Sequence, residues 1–296
     1  MKGHLLRGGI AALAAWLAGW TTAMAAQTAD AGAFDPALWR AVEPDNLLIL
    51  ELENGRVAIE LHPGIAPHSV AAIKELVRRG FYDGLSFYRV VENFVAQGGI
   101  GEGSPAHREV PTLKAEFTFP ARTAHPFTPV QADEVFAPET GFWRGLAVGR
   151  DGADGTAWAI HCPGTFALAR DADPDSSSSE FYIVIGEAPR HLDRNLTVLG
   201  RVIAGLRFVQ AAPRGDREVN YGVIPADRPQ LRIRRARIAA DLPEDERPVF
   251  HVMRTDTAAF AARIESQRRR DDPFWVVRPR PVLDICTVPV PVRPIW

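Results

Sequence analysis

Residues 46–61 place apolar side chains at every second position: Leu48, Leu50 and Leu52 fall on one face, Val57, Ile59 and Leu61 answer them, and Asn54-Gly55 stands at the corner. A period of two belongs to a strand, and Asn-Gly suits a tight primed turn because both residues tolerate positive φ. A hairpin with one apolar face must bury that face, which commits the chain to a sheet built over a core. Pro67 then stands where a helix begins, Val70, Ile73, Leu76 and Val77 follow at helical spacing, and Gly80 ends the run. This predicts a short amphipathic helix over one end of the sheet. Strand patterns recur at 85–91, 180–185, 196–202 and 231–238, and 101–163 is the longest of the irregular stretches between them. With 24 glycines and 24 prolines among 296 residues, short strands and turns are favoured over long helices. The expected fold is mainly β, as a closed antiparallel barrel or a sandwich.

The two ends differ from this middle. Lys2 and Arg7 form a basic start before an uncharged apolar run that extends over 8–20, and Ala23-Met24-Ala25 offers small residues to a signal peptidase, so 1–25 reads as a secretory signal. The other reading, a membrane anchor, needs about 20 spanning residues, and Thr21 and Thr22 interrupt the run before that. Removing Lys2 and Arg7 with the signal takes the formal net charge from −2 to −4. No global basic field then exists to draw in nucleic acid, and no later stretch is apolar and long enough to cross a bilayer. Neither nucleic acid nor, after signal cleavage, a membrane is an expected partner. The alanine- and arginine-rich composition suits a bacterial periplasm. The expected organisation is a linker over 26–44, a barrel domain over 45–241 carrying the insert 101–163, and an extension over 242–296. In that extension Thr255 or Asp256 should cap a helix running to about Arg270 with Phe260 and Ile264 facing inward. Residues 273–296 are proline-rich and extended, and the Phe, Trp and Val content of the 242–296 extension as a whole predicts docking on the barrel.

Phe87-Tyr88-Arg89-Val90 followed by Phe94-Val95-Ala96-Gln97-Gly98-Gly99 resembles the signature of the cyclophilins. Gly164-Thr165-Phe166-Ala167-Leu168-Ala169-Arg170, then Ser179-Glu180-Phe181-Tyr182-Ile183, then His191-Leu192-Asp193 with Val198-Leu199-Gly200-Arg201-Val202, are similar to later blocks of that family, in the right order. The resemblance implies an eight-stranded closed antiparallel barrel capped by short helices. It also implies a peptidyl-prolyl cis/trans isomerase that assists the folding of exported proteins, takes proline-containing unfolded polypeptides and needs neither cofactor nor metal. It makes Arg89 the catalytic residue, Phe94, Val95, Tyr182 and Leu192 the walls of a proline slot, and Ala169 and Arg170 the lining of a substrate groove. Gln97 would brace the arginine or hold substrate backbone. Phe181 alternates to the opposite face from Tyr182 and reads as core. Three positions depart from the family pattern: Glu180 replaces a glutamine, His191 an aromatic, and Leu196 a histidine or tyrosine. Glu180 on the pocket face could orient the Arg89 guanidinium or partly neutralise it. These departures keep a second reading open, a chaperone or peptide-docking barrel with little turnover, and a third, a barrel holding a small apolar ligand, requires an open lumen.

The chemistry fits the residue types. An X–Pro bond isomerises over a barrier of about 20 kcal/mol because amide resonance is lost in the twisted state. No nucleophile is required, only an apolar slot for the ring and a fixed cation that favours the twisted amide over the planar one. Other motifs carry less. Asp151-Gly152-Ala153-Asp154-Gly155 lacks the alternating ligands and closing glutamate of a calcium loop and reads as a turn. His161-Cys162 lacks further spaced metal ligands, the serines at 176–179 lack a nucleophile elbow, and the arginines at 268–270 read as a solvated helix end. Cys162 and Cys286 allow one intramolecular bridge after export, or else stand as two small buried hydrophobes.

Overall fold

The computed structural model describes residues 35–101 and 110–295. The expected signal, the first part of the linker and the start of the insert lie outside these residues. The described strands are β1 (Trp39–Ala41), β2 (Leu47–Leu52), β3 (Gly55–Leu61), β4 (Ser86–Val90), β5 (Val95–Gly99), β6 (Phe119–Pro120), β7 (Thr128–Glu134) and β8 (Ala137–Trp143). They continue with β9 (Leu146–Asp151), β10 (Thr156–Ala159), β11 (Thr165–Leu168), β12 (Phe181–Val184), β13 (Val198–Ala204), β14 (Leu231–Ile238), β15 (Val249–Met253) and β16 (Val292–Ile295). The helices are α1 (Pro67–Arg78), α2 (Leu206–Gln210), α3 (Arg217–Asn220) and α4 (Ala258–Arg269).

Eight strands close a barrel in the order β11-β12-β5-β4-β14-β2-β3-β13, with β13 returning to β11 and each pair antiparallel. The hairpin forms in the expected register, with Leu48 opposite Ile59 and Leu50 opposite Val57. Phe87, Phe166 and Phe181 meet edge to face or tilted inside the barrel at 5.1–5.7 Å between centroids. Gly98 makes room for them: a Cβ there would lie 2.9 Å from the Phe181 ring. These packed rings fill the lumen that a ligand-holding barrel would keep open. The other face of β2 is buried too, because Leu47 and Ile49 pack with Phe250 and Val252 of β15. Burial on both faces explains why β2 reads as a continuous apolar run.

Helix α1 buries Val70, Ile73, Leu76 and Val77 against the barrel core. Ala66 at its start offers no side-chain cap, and the carboxylate of Glu116, distant in sequence, accepts from the His68 and Ser69 N–H groups at 3.2 and 2.8 Å.

The insert corrects the expectation of an irregular stretch. It folds into a five-stranded antiparallel sheet, β6-β10-β9-β8-β7. Its apolar face, with Val130, Phe142, Trp158 and Ile160, packs on Phe260 and Ile264 of α4 and on Leu283 and Ile285. The extension's helix therefore docks on the insert rather than on the barrel, and its cap is Thr257, whose Oγ1 accepts from the Phe260 N–H, rather than Thr255 or Asp256. The 273–296 tail is not extended throughout: it includes a short turn at Ile285–Thr287 before β16 pairs with β15. Within the stretch read as a linker, β1 pairs with the other edge of β15. Cys162 and Cys286 form a disulfide with 5.1 Å between Cα atoms, joining the end of the insert to the tail.

Candidate active site

Alternation along the barrel strands decides which side chains leave the core, except in β4, where a register shift between Phe87 and Arg89 turns Arg89 to the outer face although Phe87 points inward. Tyr182 lies opposite Gln97, and Arg89 is also the partner of Gln97, so all three share the outer face, together with Val95 and Ala169 two residues along. Phe181 points inward, as expected. On this face Arg89 is clamped: its Nε donates to the Tyr221 carbonyl at 2.8 Å and an Nη donates to Gln97 Oε1 at 3.0 Å. Gln97 in turn donates from its amide nitrogen to the Tyr88 hydroxyl at 2.6 Å. Two fixed donors set the plane of the guanidinium.

A cavity of about 400 Å³ opens over this clamp. Arg89, Gln97, Ala169, Arg170 and Glu180 line it, as does a segment that sequence reading did not single out, Asn220, Tyr221 and Val223. The Glu180 carboxylate accepts from the Ile100 and Gly101 N–H groups at 2.8 and 3.2 Å, and it lies across Gly99, where any Cβ would collide with it. Arg170 donates to the Asn195, Asp171 and Ala172 carbonyls, which holds it along the rim.

The remaining predicted residues form the flank of the site rather than its open floor. Phe94 stacks on His191 with centroids 6.3 Å apart and planes 17° apart, so the histidine occupies the place read as a lost aromatic. Leu192 is half-buried at the end of the Arg190–Leu192 turn, and Leu196 packs half-buried on the core. Val95 and Tyr182 are only 3% and 4% exposed.

Tyr182 is held from behind by groups to which sequence reading gave no role at the site. His161, fully buried, lies 2.8 Å through Nε2 from the Tyr182 hydroxyl and 2.9 Å through Nδ1 from Asp193 Oδ1. A carboxylate only accepts, so Nδ1 carries a proton and donates to Asp193, while Nε2 shares the second hydrogen bond with the tyrosine hydroxyl. Burial pushes the Tyr182 hydroxyl well above its usual range, and the Asp193 charge adds to this. Arg190 donates to Asp193 Oδ2 at 2.7 Å and reaches both carboxylate oxygens of Glu134 in β7. His161 is thus a bracing group. The only signal for it in the sequence was Asp193, already part of a motif block.

Among the described residues no group of three or more His, Cys, Asp or Glu side chains is placed to hold a metal ion.

Comparison with known proteins places the chain in a family. The family model for cyclophilin type peptidyl-prolyl cis-trans isomerase matches residues 47–236. A Brucella suis protein named a probable peptidyl-prolyl cis-trans isomerase is 32% identical over 213 residues, covering 68% of this chain and 86% of its own. Peptidyl-prolyl cis-trans isomerase B of Bacillus subtilis is 31% identical over 166 residues, 56% of this chain and 89% of its own. The crystal structure of a cyclophilin from Hirschia baltica superposes with a TM-score of 0.70 at 30% identity, covering 88% of this chain and 94% of that one. Arg89, Gln97 and Ala169 on the outer face of a closed eight-stranded barrel, and a family model spanning that barrel, make this chain a member of the cyclophilin-type peptidyl-prolyl cis/trans isomerase family.

Proposed function

We propose that this chain accelerates cis/trans isomerisation of X–Pro bonds in exported polypeptides, outside the cytoplasm, with Arg89 as the catalytic residue. The observation that carries this reading is the clamped guanidinium at the floor of an open groove. In the twisted transition state the prolyl nitrogen turns pyramidal and regains its lone pair, while the carbonyl leaves conjugation. A cation already oriented there favours that state over the planar amide without reorganising during the reaction. Tyr221 and Gln97 spend two of its hydrogen bonds on orientation, and Glu180, committed to two backbone N–H groups, contributes negative potential to the same cavity. Phe94 and Leu192, both half-buried, supply the apolar surface for the pyrrolidine ring, with Val95 and Tyr182 buried in the same flank. The purified chain should speed isomerisation of a chromogenic prolyl peptide in proportion to its concentration, and a rate equal to that in buffer contradicts the proposal.

Export rests on Lys2, Arg7, the apolar run and Ala23-Met24-Ala25. Intact mass of the protein recovered from the periplasm should place its first residue at Ala26, whereas a membrane-bound chain retaining residues 1–25 contradicts export by signal cleavage.

A further inference from the structure

Tyr221 follows α3 with φ 56°, a left-handed backbone that costs any residue but glycine some strain. The turn is held firmly in that shape. The Asp216 carboxylate accepts from the Glu218 and Val219 N–H groups at 2.8 and 3.2 Å, and the Asp216 carbonyl accepts from the Gly222 N–H at 2.9 Å. Two backbone hydrogen bonds then stitch the segment to β4, from Val90 N–H to the Gly222 carbonyl at 2.9 Å and from Ile224 N–H to the Tyr88 carbonyl at 2.7 Å. The carbonyl of Tyr221 serves Arg89, yet its ring is 80% exposed on the rim of the groove. Val219 beside it is 76% exposed, and the adjoining Asn220 presents a buried side-chain oxygen with no hydrogen-bond partner among the described residues. The exposed Tyr221 ring and the unsatisfied Asn220 acceptor, both on one wall of a peptide-sized groove, are features that a bound chain would satisfy, and Val219 extends the exposed apolar area next to that wall.

We propose that Tyr221 reads the substrate: its ring packs on a large apolar side chain next to the proline, so that peptides carrying one are preferred over those with a small residue there. The inference rests on the reading of the Arg89 groove as the isomerase site. Its discriminating variant is Tyr221→Gly, because glycine adopts φ 56° without strain and keeps the carbonyl that Arg89 needs, while removing the ring. The test compares chromogenic prolyl peptides that differ only in the residue beside the proline, Leu or Phe against Ala, by kcat/KM and by direct titration of peptide binding. Wild type and Tyr221→Phe should favour the large residue by about five- to tenfold, the scale of one aromatic contact. Tyr221→Gly should bring that ratio close to one. A purely structural defect lowers both peptides together and leaves the ratio intact, which would overturn the proposal, as would a wild-type ratio of one. Failure of the isomerase reading shows separately, as no acceleration of any peptide, and the binding ratio still decides the role of the ring.

Discussion

Breaking the bond between Cys162 and Cys286 should lower stability chiefly through the unfolded chain. The two residues are separated by 124 positions, and for a loop of that length the chain-entropy argument gives about 5 kcal/mol at 25 °C. The folded side loses little, since both cysteines pack against the cluster of Ile160, Leu283 and Ile285 and remain small apolar side chains when reduced. In a domain of this size each kcal/mol moves the melting temperature by about 2–4 °C, so reduction should lower it by about 10–20 °C. The assay is thermal unfolding of the mature protein with and without a strong reductant, beside Cys286→Ser under the same conditions. Reduced protein and variant should melt together, well below the oxidised form, and denatured, unreduced protein should show no free thiol. A melting temperature within about 2 °C of the oxidised form would refute the entropic account, and two free thiols per chain would refute the bridge.

Two further perturbations probe buried groups. Burial pushes the Glu60 carboxyl up, but His62, Arg40 at 2.5 Å and Arg201 at 3.4 Å more than reverse this and hold it far below its ordinary value of 4.5. A carboxylate depressed in the folded state stabilises above its unfolded value and surrenders that stability as pH falls. Wild type should therefore weaken steadily below pH 4.5, while Glu60→Gln, already weaker by about 3–5 kcal/mol because its arginines lose their partner, should be flatter there in urea titrations. Tyr182→Phe removes the hydroxyl hydrogen-bonded to His161 Nε2 and leaves that buried ring nitrogen without its partner; the urea midpoint should report a loss of about 1–3 kcal/mol, and no loss would mean the hydrogen bond is not part of the native brace.

Much of the barrel was legible because its signals are local. Asn54-Gly55 fixed the hairpin register, Pro67 fixed the start of α1, and the alternation Phe181/Tyr182 separated core from outer face. The insert was opaque for the opposite reason. Pro129 and Pro138 lie inside β7 and β8, and Gly141 and Gly149 sit in β8 and β9, residues that ordinarily argue against strands. Gly149 is required there: a Cβ would lie 2.6 Å from the Trp158 ring that crosses it, a contact no local pattern announces. At the site, the block spacing brought Arg89, Gln97, Ala169, Arg170 and Glu180 to one cavity. The clamp on Arg89 by a backbone carbonyl from Tyr221 carries no side-chain signature, and the brace on Tyr182 joins His161, Asp193, Arg190 and Glu134 across three separate segments. Only folding reveals such partners.

The central claim is that the clamped arginine lowers the isomerisation barrier, and kcat/KM of Arg89→Ala against wild type on one prolyl peptide tests it most directly, with matched circular dichroism and melting temperature to show an intact fold. An oriented charge acting on the transition state predicts a loss of about 10²–10³-fold, and Arg89→Lys should recover little of it, since an ammonium cannot hold both the Tyr221 carbonyl and Gln97 while facing the substrate. A folded Arg89→Ala protein with the wild-type kcat/KM would contradict the account.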